Sequence, residues 1–172
     1  MSRALLATTL GVLGALVAWS VSAYGTLPPS IPAHFGAGGV DRWTDRSFWN
    51  WFGLPLMAVG LPALNYGVAA AFAARPQFMN IPRKDRLLAL PAGRRVRVMR
   101  WWWALMQAIA LVEVLILGLA QYAIWLAAAN RTVTGRPIVV VVMFLAIAMV
   151  PLSVYFVWQM GAEVARQEAA GA

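Results

Sequence analysis

Residues 94–128 read RRVRVMRWWWALMQAIALVEVLILGLAQYAIWLAA, and the reading of this stretch decides the fold. It opens with Arg94, Arg95, Arg97 and Arg100, passes through Trp101, Trp102 and Trp103, and then runs to Ala128 with a single charge, Glu113. A helix needs roughly 20 apolar residues to cross a bilayer, and this run is longer. The residues before it suit the headgroup boundary, where an indole ring stays apolar and its N–H stays wet. The stretch therefore predicts a transmembrane helix over about 101–128.

Three further runs of membrane length lie outward from it. The first covers 4–24 without a charge, the second about 48–74, and the fourth about 138–160. The composition agrees: 62% of the 172 residues are hydrophobic and 12% charged, against about half and about a quarter in a soluble domain. So much apolar surface calls for the bilayer as solvent. The expected fold is an all-α membrane protein, a four-transmembrane-helix bundle forming a single integral membrane domain over 1–172. A soluble enzyme is excluded. Cysteine is absent, which removes any disulfide framework or thiolate metal site.

The net charge of +8 is local: eight of the fourteen Lys and Arg residues lie in the 75–100 loop, with one acid, Asp85. Beside membrane spans such a cluster reads as a cytoplasmic loop rather than a nucleic-acid patch. The 25–47 loop balances two Arg with two Asp, and the short third loop holds Arg131 and Arg136. The expected topology is multi-pass with both termini cytoplasmic and loops one and three outside. Val21-Ser22-Ala23 fits a signal-peptidase site, but the first apolar run is longer than a signal core, so it is read as a retained helix. Trp19, Trp49, Trp51, Trp125 and Trp158 fall near span ends and read as an interfacial belt. Small residues four apart, Ala7, Gly11 and Ala15, and Gly14, Ala18 and Ser22, offer close helix approach. Pro55, Pro62 and Pro151 lie inside spans and are expected to kink them.

The 25–47 loop is the most distinctive segment. Leu27-Pro28-Pro29-Ser30-Ile31-Pro32-Ala33-His34-Phe35 reads as extended chain, Gly36-Ala37-Gly38-Gly39 as a tight turn, and Val40-Asp41-Arg42-Trp43 as a returning strand. A four-residue turn at 36–39 sets Phe35 opposite Val40 and His34 opposite Asp41, close enough for a hydrogen bond. His34 is the only histidine. The pair either ties the loop together or works at the outer face on a ligand or proton. Glu113 is the second candidate. A carboxyl in mid-span is expensive and faces protein, water or a partner: it is either a proton or cation site, or a protonated acid hydrogen-bonded to a neighbouring helix, with Asn65, Gln107 and Gln121 as the candidate partners. In the basic loop, Pro82 and Pro91 bracket a short helix whose Leu87, Leu88 and Leu90 are expected to lie on the membrane. Arg94, Arg95, Arg97 and Arg100 would contact lipid phosphates, each worth about 1 kcal/mol near an anionic surface. No nucleophile motif, phosphate loop or dinucleotide fingerprint is present. One histidine cannot build a zinc site, and no metal or cofactor is expected.

Two strings carry a family resemblance. Leu27-Pro28, Ile31-Pro32-Ala33-His34-Phe35 and Gly39-Val40-Asp41-Arg42-Trp43 resemble the signature of the bacterial membrane family DUF1648, a domain of unknown function. Asn80-Ile81-Pro82-Arg83-Lys84 with Leu88-Ala89-Leu90-Pro91 is similar to a second stretch of that family. Where many members carry Lys after the tryptophan stretch, this chain has Arg46. The resemblance implies a bacterial inner-membrane protein related to the N-terminal part of SdpI-type immunity proteins. It implies an accessory, immunity-like or signalling role, exerted by binding a peptide, lipid or protein partner. The candidate ligand- or partner-binding residues are His34, Asp41 and Glu113, together with Trp43, Asn80 and Lys84 from the two resembling strings. Membrane lipids are the expected partners, nucleic acid is not, and no enzyme activity is favoured. The alternative is a membrane-embedded enzyme or small transporter using His34, Asp41 and Glu113.

Overall fold

The computed structural model describes residues 2–36, 38–130 and 136–170, and the side chains among these except 136–138. The expected third-loop charges, Arg131 and the side chain of Arg136, fall outside that description. In chain order the elements are α1 (Arg3–Tyr24), β1 (Ser30–Gly36), β2 (Gly39–Asp45), α2 (Phe48–Ala74), a 3-10 turn (Pro76–Phe78), α3 (Lys84–Ala89), α4 (Ala92–Ala129) and α5 (Arg136–Ala169). Helices α1, α2, α4 and α5 are each long and apolar enough to cross a membrane. The fold is the expected four-span bundle with a small antiparallel hairpin between the first two spans.

Helix α4 is the hub, packing against α1, α2, α5 and β1. Its 38 residues span about 57 Å at 1.5 Å per residue, well beyond the roughly 30 Å hydrocarbon layer. The excess lies at its start: α4 begins at Ala92, so Arg94 to Arg100 are helical and not part of a loop. By contrast α5 has no buried residue in its apolar window, and Val140, Phe144, Ile147, Val150 and Val154 are all exposed. An apolar face of that extent suits lipid and not water.

Three buried clusters hold the helices. At the hairpin end, Ala23, Leu27, Ile31, Trp51 and Ala128 pack together. Ala69, Leu105 and Met106 join α2 to α4. At the opposite, basic end, Met79, Leu87, Leu90, Val98, Met99, Met160 and Val164 form the largest. Two expectations are corrected here. Leu87 and Leu90 do not lie on the membrane; they are buried against α4 and α5, since protein offers the same apolar environment with tighter packing. Trp51 is not a belt residue but fully buried, whereas Trp49 is 73% exposed. Two residues apart on a helix, they point to nearly opposite faces.

The small-residue stripe of α1 also behaves otherwise than expected. Ala7, Gly11, Gly14, Ala15, Ala18 and Ser22 are exposed, and a Cβ added at Gly11 or Gly14 would meet nothing within 4 Å. The close approach occurs instead where Leu16 of α1 sits over Gly118 of α4, 3.8 Å from its Cβ position. Polar contacts finish the α1 docking. Gln107 clamps the backbone of Ser2, accepting from its N–H at 2.9 Å and donating to its carbonyl at 3.2 Å.

Candidate hairpin site

The hairpin can close because Gly39 stands in its turn. Gly39 has φ 119, a region open to glycine and strained for other residues. Gly36 pairs with Gly39 and Phe35 with Val40, so the strands extend further into the turn than the expected four-residue loop. His34 lies opposite Arg42 in the ladder, not opposite Asp41. The cause is two compensating irregularities. Ala33 is extra on β1 and Asp41 is extra on β2, and the register of Ile31–Thr44 and Pro32–Trp43 is recovered at Phe35–Val40. The bulge turns Asp41 toward His34 all the same: Nδ1 of the ring lies 2.7 Å from Asp41 Oδ1. The carboxylate also sits over the turn. A Cβ at Gly36 would fall 2.5 Å from Asp41 Oδ2, so a larger residue there would have to displace the carboxylate. His34 and Asp41 are 58% and 53% exposed, and water screens such a pair strongly.

Arg46 closes the base of the hairpin. Its Nη1 donates to the carbonyl of Leu27 at 2.6 Å, its backbone N–H donates to that of Pro29 at 2.7 Å, and its guanidinium lies over the Tyr24 ring. Asn50, in the first turn of α2, donates to Thr44 Oγ1 at 3.0 Å and to the Asp45 carbonyl at 2.9 Å. Its own N–H is capped by Ser47 Oγ. The hairpin is thus fixed to α1 and α2 by side chains at both ends, and Ile31 and Pro32 bury its inner face.

Between the hairpin and the bundle lies an open cleft of about 590 Å³. Pro32, Ala33, Arg42, Trp43 and Thr44 form its lip; Asn50, Gly53, Leu54 and Met57 of α2 and Ile124 of α4 form its wall and floor. Arg42, Thr44 and Asn50 supply its polar groups, and Pro32, Leu54, Met57 and Ile124 its apolar surface. Of the residues put forward from sequence as ligand- or partner-binding, only Trp43 lines it. Arg42, Thr44 and Asn50 were not foreseen, because the cleft exists only once three separate segments are folded together. Asn50 alone left a local trace, as the polar residue three positions after a Ser cap.

The other candidates lie elsewhere. Glu113 is half-buried on α4 and accepts a 2.6 Å hydrogen bond from Asn65 Nδ2 of α2, one of the three partners anticipated. Gln107 and Gln121 serve other groups. Asn80 is exposed at the basic end, and Lys84 opens α3. Arg94 donates to the carbonyls of Gln167 and Ala170, and Arg95 to that of Leu90, while Arg97 and Arg100 are exposed. None of His34, Asp41 and Glu113 lines the cleft, and Glu113 shares no hydrogen bond with the other two. Among the described residues no three His, Asp or Glu side chains come together as a metal site would need.

Residues 11–59 match the family described as a domain of unknown function, DUF1648. The match spans the second half of α1, the hairpin and the first part of α2, and all cleft-lining residues except Ile124 fall inside it. No curated protein and no solved structure matches the chain.

Proposed function

We propose that this protein is a non-enzymatic inner-membrane receptor whose hairpin cleft captures an amphipathic peptide segment at the outer face. Such capture would serve the accessory, immunity-like or signalling role that the resemblance to SdpI-type proteins implies. The observation that carries the reading is the cleft itself, whose lining falls almost wholly within the family-matched segment. Polar groups set among apolar surface suit a ligand with both characters. The two bulges leave backbone groups of β1 and β2 outside the regular ladder, and among the described residues the sheet has no third strand. Free ladder groups of this kind favour an extended peptide, which pairs through its backbone and seats side chains in adjacent pockets. Met57 in the floor adapts to different apolar side chains. Orientation rests on the positive-inside rule: Ser2, Ala170 and the 75–100 segment gather at one end of the bundle, which is read as cytoplasmic.

The enzyme or transporter alternative needs His34, Asp41 and Glu113 to act on one substrate, and the placement of Glu113 against Asn65, apart from the His34–Asp41 pair, does not support it. The receptor reading is tested by photo-cross-linking in cells, with a photoreactive residue in place of Thr44 or Met57 and, for comparison, of Val140 on the exposed face of α5. A peptide adduct at the two cleft positions and not at Val140 is expected. Gly53→Leu should abolish it, because a Cβ at Gly53 meets nothing within 4 Å and the added side chain fills the cleft without disturbing the helix. Only lipid adducts, or the same adducts at Val140, would defeat the proposal.

A further inference from the structure

We infer that the basic end of the bundle carries a site for the phosphate-bearing headgroup of an anionic phospholipid, centred on Arg97 and Arg100. The four arginines that open α4 divide into two pairs. Arg94 caps the end of α5, with Nη1 3.0 Å from the Gln167 carbonyl and Nη2 3.3 Å from that of Ala170. Arg95 Nε folds back onto the Leu90 carbonyl at 2.8 Å. Arg97 and Arg100 make no such bond, although the Arg97 charge acts on Glu163 across the cleft beside them. They stand three residues apart, hence on one face of the helix. Both are exposed, and neither guanidinium donates a hydrogen bond among the described residues.

Between them and α5 is a cleft of about 650 Å³, lined also by Ser2, Trp101, Glu163 and Gln167. Glu163 is the one acid in it, and its oxygens are taken. Oε2 accepts from Arg166 Nε at 2.8 Å and Nη2 at 2.6 Å, and Oε1 accepts from Gln167 Nε2 at 2.7 Å. Arg166 does not line the cleft, so it offsets the Glu163 charge from outside. Two guanidinium groups remain in excess, with the fork geometry that binds phosphate oxygens in pairs.

The depth of the cleft selects a lipid over a soluble anion. It lies where α4 passes from arginine to tryptophan, the level of the headgroups. On its apolar side Trp101 packs against Tyr155 and Phe156 of α5, with ring centroids 6.4 and 6.1 Å away, and Tyr155 is itself exposed. An acyl chain leaving the headgroup would run down this aromatic wall and along the exposed face of α5.

The test uses the full chain in a neutral detergent, with retained lipid counted by native mass spectrometry. Phosphatidylglycerol is titrated against phosphatidylcholine, with inorganic phosphate as competitor. One phosphatidylglycerol should be retained in preference to phosphatidylcholine. Arg97→Gln and Arg100→Gln should each weaken it roughly tenfold or more, as for a charge-assisted hydrogen bond. Arg75→Gln, which removes the same charge away from the cleft, should weaken it by no more than about fivefold, the effect of one surface charge. The paired variant Arg97→Lys with Arg100→Lys keeps the charge and should keep the preference with a smaller loss. The replaced side chains make no internal bond, so the fold is not at stake, and an unchanged melting profile checks this. Equal losses in Arg75→Gln, no preference between the two lipids, or full displacement by inorganic phosphate would each overturn the inference.

Discussion

Gln121 of α4 donates a 3.0 Å hydrogen bond to the backbone carbonyl of Trp51 in α2, the carbonyl that Pro55 leaves without a helical donor. Proline has no N–H, so the acceptor four residues before it goes unserved, and within a membrane no water can serve it. Gln121 and Trp51 are both fully buried, and the Trp51 ring continues the chain by donating Nε1 to the Ser20 carbonyl at 2.8 Å. One proline thereby ties α1, α2 and α4 together. Gln121→Leu is expected to destabilise the bundle by about 1–3 kcal/mol, the cost of a buried unsatisfied acceptor. In a Pro55→Ala background the restored N–H serves the carbonyl, and the same substitution should cost about 1 kcal/mol less. Unfolding equilibria of the four variants measure the coupling; additive effects would break the link between Pro55 and Gln121.

The Asn65–Glu113 pair joins the same two helices deeper in the bundle. Asn65→Leu removes the only hydrogen-bond partner that Glu113 has among the described residues and should cost about 1–2 kcal/mol, as for polar contacts between membrane helices. Glu113→Gln keeps a group able to bond Asn65 and should cost less. If Glu113→Gln leaves stability intact yet abolishes a cellular phenotype, Glu113 has a role beyond tying α2 to α4. Equal stability losses in both variants would show that an amide cannot stand in for the carboxyl.

The spans and the hairpin were legible in the sequence because apolar length and turn glycines act locally and need no tertiary information. The partner of Glu113 was narrowed to three residues for the same reason: few polar groups share the spans. What was missed depended on neighbours. Trp49 and Trp51 have the same local setting, and only the position of α1 and α4 decides which is buried. Leu87 and Leu90 satisfy an apolar demand that lipid or protein could meet equally. The need of the Trp51 carbonyl could have been read from Pro55, but not that Gln121 would meet it. The His34–Asp41 contact was anticipated through a regular register, while the structure reaches it through two bulges.

Topology follows from where the charges gather. A reporter inserted after Gln77, in the basic segment, should be active only as a cytoplasmic fusion, and one inserted at Gly38 only as an external one. Alkaline phosphatase and a fluorescent protein at each site give opposite readings. Both sites reading as cytoplasmic would contradict the four-span arrangement, and the reverse pattern would invert the bundle.

The hairpin separates structure from function at His34. The His34–Asp41 pair is more than half exposed on both sides, so His34→Ala should cost less than about 1 kcal/mol. Gly36→Ala acts differently. Its methyl would press on Asp41 Oδ2, moving the carboxylate off the imidazole while leaving both groups in place. NMR of the ring nitrogens should register loss of the Nδ1 contact in Gly36→Ala and Asp41→Asn alike. Hydrogen exchange at Ile31 and Thr44, near the base that Arg46 secures, should stay slow in both. Arg46→Ala should do the reverse, accelerating exchange at the base by loss of the Leu27 bond and the Tyr24 stacking, with His34 still against Asp41. If Gly36→Ala instead frays the whole hairpin, the His34–Asp41 contact is a clasp that holds both strands together rather than a local feature of the turn.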